Sequence, residues 1–171
     1  MIREVAEFEK VSEGEFIKFC VSKGYDEKFA KTAYLNIREP KRATKGSAGY
    51  DFVTPVDINL SPKQALEVPT GIRVKIMEGW LLSIFPRSGL GFKYQTKLAN
   101  TVGIIDSDYY YALNEGHIII KVVNGSIENK DLALKAGERF AQGIFLPFGI
   151  VKGDSESTIR KGGFGSTTQK L

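Results

Sequence analysis

The sequence predicts an all-β fold, a jelly-roll β-barrel or sandwich of short strands, with a short helical insertion near the N-terminus. The composition supports this, because 11 Phe, 7 Tyr and 18 Gly among 171 residues favour sheets joined by tight turns over a helical bundle. From Pro40 onward, short apolar or alternating runs are separated by Gly, Pro, Asn and Asp. With 42% hydrophobic residues the chain can bury one core, and we expect a single domain over residues 1–171.

The helical insertion is expected within residues 13–36, where apolar residues recur at helical spacing and Gly24 separates two short helices. The apolar positions are Phe16, Ile17, Phe19, Cys20, Phe29, Ala30, Ala33 and Tyr34. Seven strands are predicted after the insertion, each a short apolar or alternating run bounded by turn residues: 65–68, 72–77, 80–85, 97–99, 116–123, 131–134 and 139–146.

The charge and the cysteine and histidine content limit the function classes. The formal charge is +4, from 24 Lys and Arg against 20 Asp and Glu, and this modest excess does not establish nucleic-acid binding, so no nucleic-acid partner is expected. Cys20 has no second cysteine to pair with, and His117, which we place in a strand, is the single histidine, so a His/Cys metal cluster is excluded. No apolar run is long enough to span a membrane, and the start lacks a signal-peptide pattern, so a cytoplasmic location is expected.

The C-terminal run from Arg160 to Thr168 combines glycines, hydroxyl groups, two cations and one aromatic ring, Phe164. These residues make a poor core. Glycine lets backbone N–H groups approach an anion closely, hydroxyls and Arg160 add donors, and Phe164 can stack on a flat base. Taken alone the composition favours a disordered terminus, but it also suits a flexible clamp on a nucleotide.

Two further runs are ambiguous by themselves. In the run 101–111, which we interpret as a small hairpin, Asp106 and Asp108 lie beside Tyr109, and an Asp-Ser-Asp turn is most often structural. In the run 86–90, Arg87 followed by Ser and Gly suits a phosphate, but also an ordinary turn after a strand.

Five segments, taken in order, resemble the five motifs of the trimeric dUTPases: 48–52 (AGYDF), 86–90 (PRSGL), 103–109 (GIIDSDY), 137–142 (GERFAQ) and 162–167 (GGFGST). The resemblance extends from about Pro40 to the C-terminus. It implies a jelly-roll homotrimer that hydrolyses dUTP to dUMP and diphosphate, controlling dUTP and supplying dUMP for thymidylate synthesis. It also implies active sites assembled from three subunits, with residues 158–171 as a flexible lid over a neighbour.

The same resemblance implies which residues contact the nucleoside. Asp106 matches the aspartate that activates the water attacking the α-phosphorus, a role that suits a positioned carboxylate. Asn100 and the backbone around Gly103 and Ile105 would recognise uracil and mismatch cytosine. Tyr109 matches the ring that packs against the deoxyribose and leaves no space for a 2′-hydroxyl.

The implied phosphate contacts fall on other segments. Arg87, Ser88 and Gly89 match the phosphate-contacting run of motif two, and Gln142 matches a side chain near the α-phosphate. Mg²⁺ is the implied cofactor, held by phosphates and water without a direct protein ligand, while Asp51 and Gln142 reach it through water or, for Asp51, act structurally. The residues of the tail that would cover the nucleotide are Arg160, Phe164, Gly165, Ser166 and Thr167.

The sequence departs from the family pattern in several places. Arg160 lies one residue closer to the Gly-Gly pair than is usual, and Thr168 replaces the last glycine. The segment before Gly116 is longer than in many members, and we expect Gly116 to take the place of the family's glycine. Residues 1–39 carry the helical insertion after a first strand at 4–11, whereas typical members run almost directly from that strand into the first motif.

Two alternatives stay open. A dCTP deaminase of the same fold would need a glutamate in the strand after the hairpin, and the nearby Glu115 precedes Gly116 in an expected loop, so deamination is disfavoured. The other alternative is a dUTPase-like protein that binds a regulatory protein partner through the helices at 13–36, with the nucleotide ordering the tail as a switch.

Overall fold

A computed structural model of the chain describes residues 3–156, and the predicted mostly β fold with an N-terminal helical insertion is confirmed there. The strands are β1 (Ala6–Lys10), β2 (Lys41–Arg42), β3 (Tyr50–Val53), β4 (Ile58–Leu60), β5 (Ala65–Pro69), β6 (Ile72–Ile76), β7 (Trp80–Pro86), β8 (Lys97–Leu98), β9 (Gly103–Ile105), β10 (Ile119–Val123), β11 (Leu132–Leu134) and β12 (Arg139–Pro147). The helices are α1 (Glu13–Ser22), α2 (Glu27–Leu35), α3 (Ser88–Tyr94) and a 3₁₀ helix at Ser107–Tyr111.

The two helices predicted in the insertion are α1 and α2. The side chain of Ser12 caps α1 by accepting a hydrogen bond from the N–H of Glu15 at 3.2 Å, and Asp26 caps α2 by accepting from the N–H of Phe29 at 3.0 Å. Gly24, with φ +86°, allows the chain to turn between them. Both helices contribute buried side chains to the same core as the sheets, namely Phe16, Cys20, Ala30 and Ala33.

The strands form four antiparallel sheets. The largest has the strand order β2-β3-β12-β7-β9, and the others are β5-β10-β8, β1-β6 and β4-β11. Among residues 3–156 these sheets do not close into one barrel, so the sandwich form of the predicted fold is the better description. Their inner faces share one core, whose largest fully buried side chains include Phe52, Phe140 and Leu82.

The main strands lie where the sequence predicts them, but several short elements do not. The run 86–90, which suits either a phosphate contact or an ordinary turn after a strand, contains the start of α3 at Ser88. The sequence does not indicate this helix, because Gly89 and Gly91 have a low helix propensity. The run 101–111 is not a hairpin of its own, since β9 pairs with β7 and a 3₁₀ helix follows.

His117 is not a strand residue, because β10 begins at Ile119. Its ring is fully buried, lies 5.5 Å from the Phe19 ring and 6.0 Å from the Phe16 ring, and accepts a hydrogen bond at Nε2 from the N–H of Gly71 at 3.0 Å. Burial lowers the pKa of His117 to about 4, so the ring is neutral at pH 7. His117 therefore packs α1 against the sheets. Across residues 3–156, no helix has the length and apolar character needed to cross a bilayer.

Candidate active site

The ends of three neighbouring strands bring four polar side chains together. Gln142 of β12 lies opposite Asp51 of β3 and opposite Phe85 of β7 in the register of the sheet. The Oδ1 atom of Asp51 lies 3.1 Å from Nε of Arg87, and its Oδ2 atom accepts a hydrogen bond from Nη1 of Arg139 at 3.0 Å. The Asp51 carboxylate therefore holds two arginines side by side. We call Asp51, Arg87, Arg139 and Gln142 the polar cluster.

Close packing fixes Gln142 within this cluster. Its Nε2 donates to the carbonyl oxygen of Pro86 at 3.2 Å. A Cβ atom on Gly49 would lie 2.7 Å from Oε1 of Gln142, so the glycine of the 48–52 segment makes room for the amide. Arg139 is the member that the sequence analysis missed: it lies within the 137–142 segment, but nothing in the sequence places it against Asp51.

A positively charged surface surrounds the polar cluster. Ser88 and Gly89 are exposed at the start of α3, where Arg87 and Ser88 line a shallow cavity of about 280 Å³. A groove of about 490 Å³ runs along Asp51. The cations that line this groove are Lys10, Arg38, Lys41, Arg42 and Arg139. Guanidinium groups of this density suit a phosphate chain.

A second site is a cavity of about 470 Å³, within the range of about 300–1,000 Å³ that is typical of small-molecule pockets. Three residues predicted to recognise a base, Asn100, Gly103 and Ile105, line it together. Most of the other lining side chains are apolar and come from β7, β8 and the start of β10. We call it the base cavity.

The turn between β8 and β9 shapes one side of the base cavity. Thr101 adopts φ +66°, its N–H donates to the carbonyl oxygen of Leu98 at 3.0 Å, and the N–H of Val102 donates to that of Asn100 at 2.7 Å. Gly103 pairs with Ile84 of β7, and a Cβ atom on Gly103 would lie 3.1 Å from the Ile84 Cβ. A backbone held this closely can select a base by shape.

Tyr109 is a buried residue of the 3₁₀ helix that follows β9. Its hydroxyl donates to the carbonyl oxygen of His117 at 2.8 Å and accepts from Nδ2 of Asn114 at 2.9 Å. Asn114, unlike Tyr109, lines the base cavity. The sequence analysis missed Asn114 because it lies in the lengthened segment before Gly116, to which no motif corresponds.

Within one chain, Asp106 and Arg87 lie far apart. Ile105 pairs with Leu82 and Gly103 with Ile84, so β9 runs antiparallel to β7 and Asp106 extends away from the Pro86 end. Leu82 to Arg87 is a step of five residues along an extended strand, or about 16 Å at about 3.3 Å per residue. Asp106 and the polar cluster therefore lie towards opposite ends of β7. We call the base cavity together with Asp106 one half-site and the polar cluster the other.

The remaining predicted site residues lie outside the described residues: Arg160, Phe164, Gly165, Ser166 and Thr167, with the predicted lid at 158–171. For residues 3–156, no group of three or more His, Cys, Asp or Glu side chains is arranged to hold a metal ion. Glu115, the residue on which a deaminase would depend, accepts hydrogen bonds from the backbone N–H and the hydroxyl of Ser12 at 2.8 and 2.6 Å. It is thus engaged at the N-terminus of α1 rather than in the base cavity.

Comparison with known proteins identifies the family. The family model named dUTPase matches residues 36–168. The chain belongs to the dUTPase family. The match covers all five sequence segments, the polar cluster and most of the base cavity, and it begins after α1 and α2.

Individual dUTPases agree with this result. The deoxyuridine 5′-triphosphate nucleotidohydrolase of Lactococcus lactis is 39% identical over 140 residues, which are 80% of this chain and 91% of that relative. The crystal structure of the Streptococcus mutans dUTPase aligns with 85% of this chain over 98% of the chain in that structure, with 34% identity and a TM-score of 0.65. A variant of the dUTPase from phage phi11 of S. aureus shares the fold, with 20% identity, a TM-score of 0.61 and coverage of 90% and 98%, and its structure describes the coordination of a structural Mg(II) ion.

Proposed function

We propose that this chain is a dUTP diphosphatase in which Asp106 activates a water molecule that attacks the α-phosphorus of dUTP. The attack forms a bond from the water oxygen to the α-phosphorus and breaks the bond from that phosphorus to the bridging α,β-oxygen. The water proton passes to the Asp106 carboxylate, and diphosphate leaves with the bridging oxygen. The observation that supports this proposal best is the position of Asp106: within a segment matched by the dUTPase family, it directly follows the base-cavity residue Ile105.

The base cavity suits uracil. Asn100 and the backbone of Gly103 and Ile105 offer donors and acceptors in a cavity whose other walls are mainly apolar. A cytosine would leave some of these polar groups unpaired, which costs far more than a misfit of one methyl group. Tyr109 lies on the 3₁₀ helix three residues after Asp106, and because its hydroxyl is bound internally, its ring is the part that would contact the deoxyribose.

The polar cluster suits the triphosphate. Arg87, Ser88 and Gly89 would contact its oxygens, and Gln142 would reach the α-phosphate. Asp51 pairs with both Arg87 and Arg139, so we assign it the structural one of its two predicted roles: it positions the guanidinium groups. This assignment adds Arg139 to the proposed phosphate contacts.

The residues present fit a magnesium ion that is carried by the substrate rather than by the protein. Both carboxylate oxygens of Asp51 are engaged with arginines, and the amide of Gln142 is the neutral oxygen ligand nearby. Mg²⁺ retains several waters and favours substrate phosphates, so Gln142 would hold it through water. When bound, the ion would neutralise phosphate charge while Arg87 and Arg139 orient the chain of phosphates.

The separation of the half-sites supports active sites shared between subunits. Asp106 and Arg87 of one chain lie about 16 Å or more apart along β7. A dUTP molecule whose α-phosphorus lies beside Asp106 would therefore not bring its phosphates to Arg87 of the same chain, so a second chain would have to supply the arginine. A homotrimer would place the polar cluster of one subunit beside the base cavity of the next. The segment 158–171 of a further subunit, with Arg160, Phe164, Gly165, Ser166 and Thr167, would then close over the nucleotide.

In this proposal the enzyme is a single domain that acts in the cytoplasm, limiting dUTP and supplying dUMP for thymidylate synthesis. The insertion helices bury their apolar faces in the core of the same domain, so a regulatory protein partner would have to use their outer faces. The deaminase alternative has no support from Glu115, which is bound to Ser12.

The test is diphosphate release with Mg²⁺ from dUTP, dTTP, dCTP and UTP, measured for the wild type and for Asp106→Asn. Selective turnover of dUTP that is lost in Asp106→Asn supports both the substrate and the base. Ammonia release from dCTP would favour the deaminase, and equal turnover of all four nucleotides would contradict the proposed selectivity.

A further inference from the structure

The groove that runs along Asp51 extends the positive charge of the polar cluster towards the edge of the largest sheet. Asp51 and Arg139 belong to both the groove and the cluster, so the two are continuous. Five cations line the groove against two carboxylates, Glu39 and Asp51, and its volume of about 490 Å³ is in the range typical of small-molecule sites. This excess of positive charge would attract a phosphate chain that is bound at the polar cluster.

The register of the sheet aligns one of these cations, Lys41, with the polar cluster. Lys41 of β2 lies opposite Asp51 of β3, and Asp51 lies opposite Gln142 of β12. Residues that lie opposite each other in antiparallel strands project from the same face of the sheet. Lys41, Asp51 and Gln142 therefore form one row across three strands. Because neighbouring strands are about 4.8 Å apart, the backbones of Lys41 and Gln142 are separated by about 10 Å.

The ammonium group of Lys41 is available to a ligand. The carboxylate of Asp51, opposite Lys41, is already engaged with Arg87 at 3.1 Å and with Arg139 at 3.0 Å. Arg42, the next residue of β2, donates to two carbonyl oxygens of the following turn at 2.8 and 3.2 Å. Lys41 is exposed, and its ammonium group forms no hydrogen bond or ion pair with any residue of the described range 3–156. Its charge is therefore not neutralised by the cluster beside it.

A lysine in this position suits the terminal phosphate of a nucleoside triphosphate. Gln142 is the proposed contact of the α-phosphate, so the row leads from the α-phosphate at β12 towards Lys41 at the edge of the sheet. Lysine carries a point charge on a flexible stem of four carbons, which can reach a phosphate group without the fixed planar geometry that arginine requires. When the bond to the α-phosphorus breaks, negative charge develops on the leaving diphosphate, and a cation near that diphosphate stabilises it.

We propose that Lys41 contacts the γ-phosphate of dUTP and extends the phosphate site of the polar cluster to β2. The contact is a charge-assisted hydrogen bond from the ammonium group of Lys41 to a γ-phosphate oxygen. A nucleotide without a γ-phosphate does not gain this contact, so Lys41 favours the triphosphate over dUDP and dUMP. The inference rests on the proposed function, since it assumes that the triphosphate of dUTP occupies the polar cluster.

The test compares Lys41→Gln and Lys41→Arg with Lys75→Gln, a matched control in which the exposed lysine lies on β6 and does not line the groove. Calorimetry with Mg²⁺ measures the Kd of dUMP, of dUDP and of the non-hydrolysable α,β-imido analogue of dUTP. We expect Lys41→Gln to raise the Kd of the triphosphate analogue about tenfold, with the Kd values of dUMP and dUDP nearly unchanged. The kcat/KM for dUTP should fall by a similar factor. Lys41→Arg should retain most of the affinity because it keeps the charge, and Lys75→Gln should match the wild type.

The outcomes separate this inference from the proposed function. If the wild type binds the triphosphate analogue but releases no diphosphate from dUTP, the proposed reaction fails, while the affinities still test Lys41. An unchanged Kd of the analogue in Lys41→Gln overturns the inference. An equal loss of affinity for all three nucleotides also overturns it, because a contact with the γ-phosphate cannot weaken the binding of dUMP. A wild type that binds the analogue no more tightly than dUMP, or does not bind it, has no such contact and contradicts the inference as well.

Discussion

The polar cluster at the Pro86 end of β7 consists of charged and amide side chains, whereas the base cavity beside Ile84 is mainly apolar. The cluster is built from charge, since one carboxylate holds two guanidinium groups that remain partly exposed. The cavity is built from close backbone approaches, such as that of Gly103 to Ile84. We therefore expect the two half-sites to respond to different perturbations. Loss of charge and added salt should affect the polar cluster, and changes of side-chain shape should affect the base cavity.

The largest effect should come from Asp106→Asn, next to the base cavity. The amide cannot accept the water proton, so turnover of dUTP should fall by about 10²–10⁴-fold while dUMP binding is retained. Diphosphate release and calorimetry measure the two quantities. Asp108→Asn, on the 3₁₀ helix two residues further on, should keep most of the turnover, and the reverse order of damage would exclude Asp106 as the base.

At the polar cluster, Arg87→Ala should lower kcat/KM for dUTP by about 10²–10³-fold, the scale for removing one donor to a charge that develops in the transition state. The fold should be preserved, because Arg139 still pairs with the Asp51 carboxylate. Steady-state kinetics and thermal melting check both statements. Lys28→Ala, an exposed cation on α2, is the control, and a comparable loss in it would show a non-specific charge effect.

The packing behind the base cavity should make stability depend on pH through His117. Its pKa of about 4 in the folded chain lies below the ordinary value of 6.5, so as pH falls the unfolded chain binds the proton first. The contribution of His117 to the free energy of unfolding is therefore fully present above about pH 6.5, and it decreases by about 3 kcal/mol as the pH falls towards 4. Urea denaturation of the wild type and His117→Gln at pH 7 and pH 4.5 measures this change, and the variant should show a smaller decrease. Parallel pH profiles would contradict the assignment.

A smaller effect is expected at Gly116, which directly precedes His117. Gly116 has φ +72°, and a Cβ atom there would lie 2.8 Å from the Cα of Tyr110, so Gly116→Ala should destabilise the chain by about 1–3 kcal/mol. Gly79→Ala is the matched control, with φ +79° but nothing within 4 Å of the added Cβ. Chemical denaturation of both variants gives the loss of unfolding free energy in each, and the difference between the two losses is the steric contribution at Gly116. An equal loss in both variants would mean that only the backbone angle matters.

The two half-sites were predictable from the sequence to different degrees. Asp51, Arg87 and Gln142 belong to conspicuous segments. Clear apolar patterns mark β7, which ends one residue before Arg87, and β12, which carries Gln142, so part of the cluster followed from the sequence. The placement of Arg139 did not, because it depends on which strands pair. Strands of two to four residues, such as β9, carry too few positions for a periodic pattern.

The contribution of the insertion to the cavity was hidden for a similar reason. Helical spacing predicted α1, but both the core-facing Phe16 and the cavity-lining Phe19 are aromatic, and only tertiary packing distinguishes them. Asn114 lies in an irregular segment, where composition gives no indication of a contact. Sequence pattern thus predicted elements and motifs better than the contacts between them.

The most direct test of the account is complementation between Asp106→Asn and Arg87→Ala, each of which should be nearly inactive alone. If each active site takes the base cavity of one chain and the polar cluster of another, an equal mixture that is refolded or co-expressed should recover about a quarter of the wild-type rate, since about one pairing in four joins two intact half-sites. Native mass spectrometry confirms that mixed oligomers form. Mixed oligomers that show no more activity than the separate variants would contradict the shared site and require Asp106 and Arg87 to act within one chain.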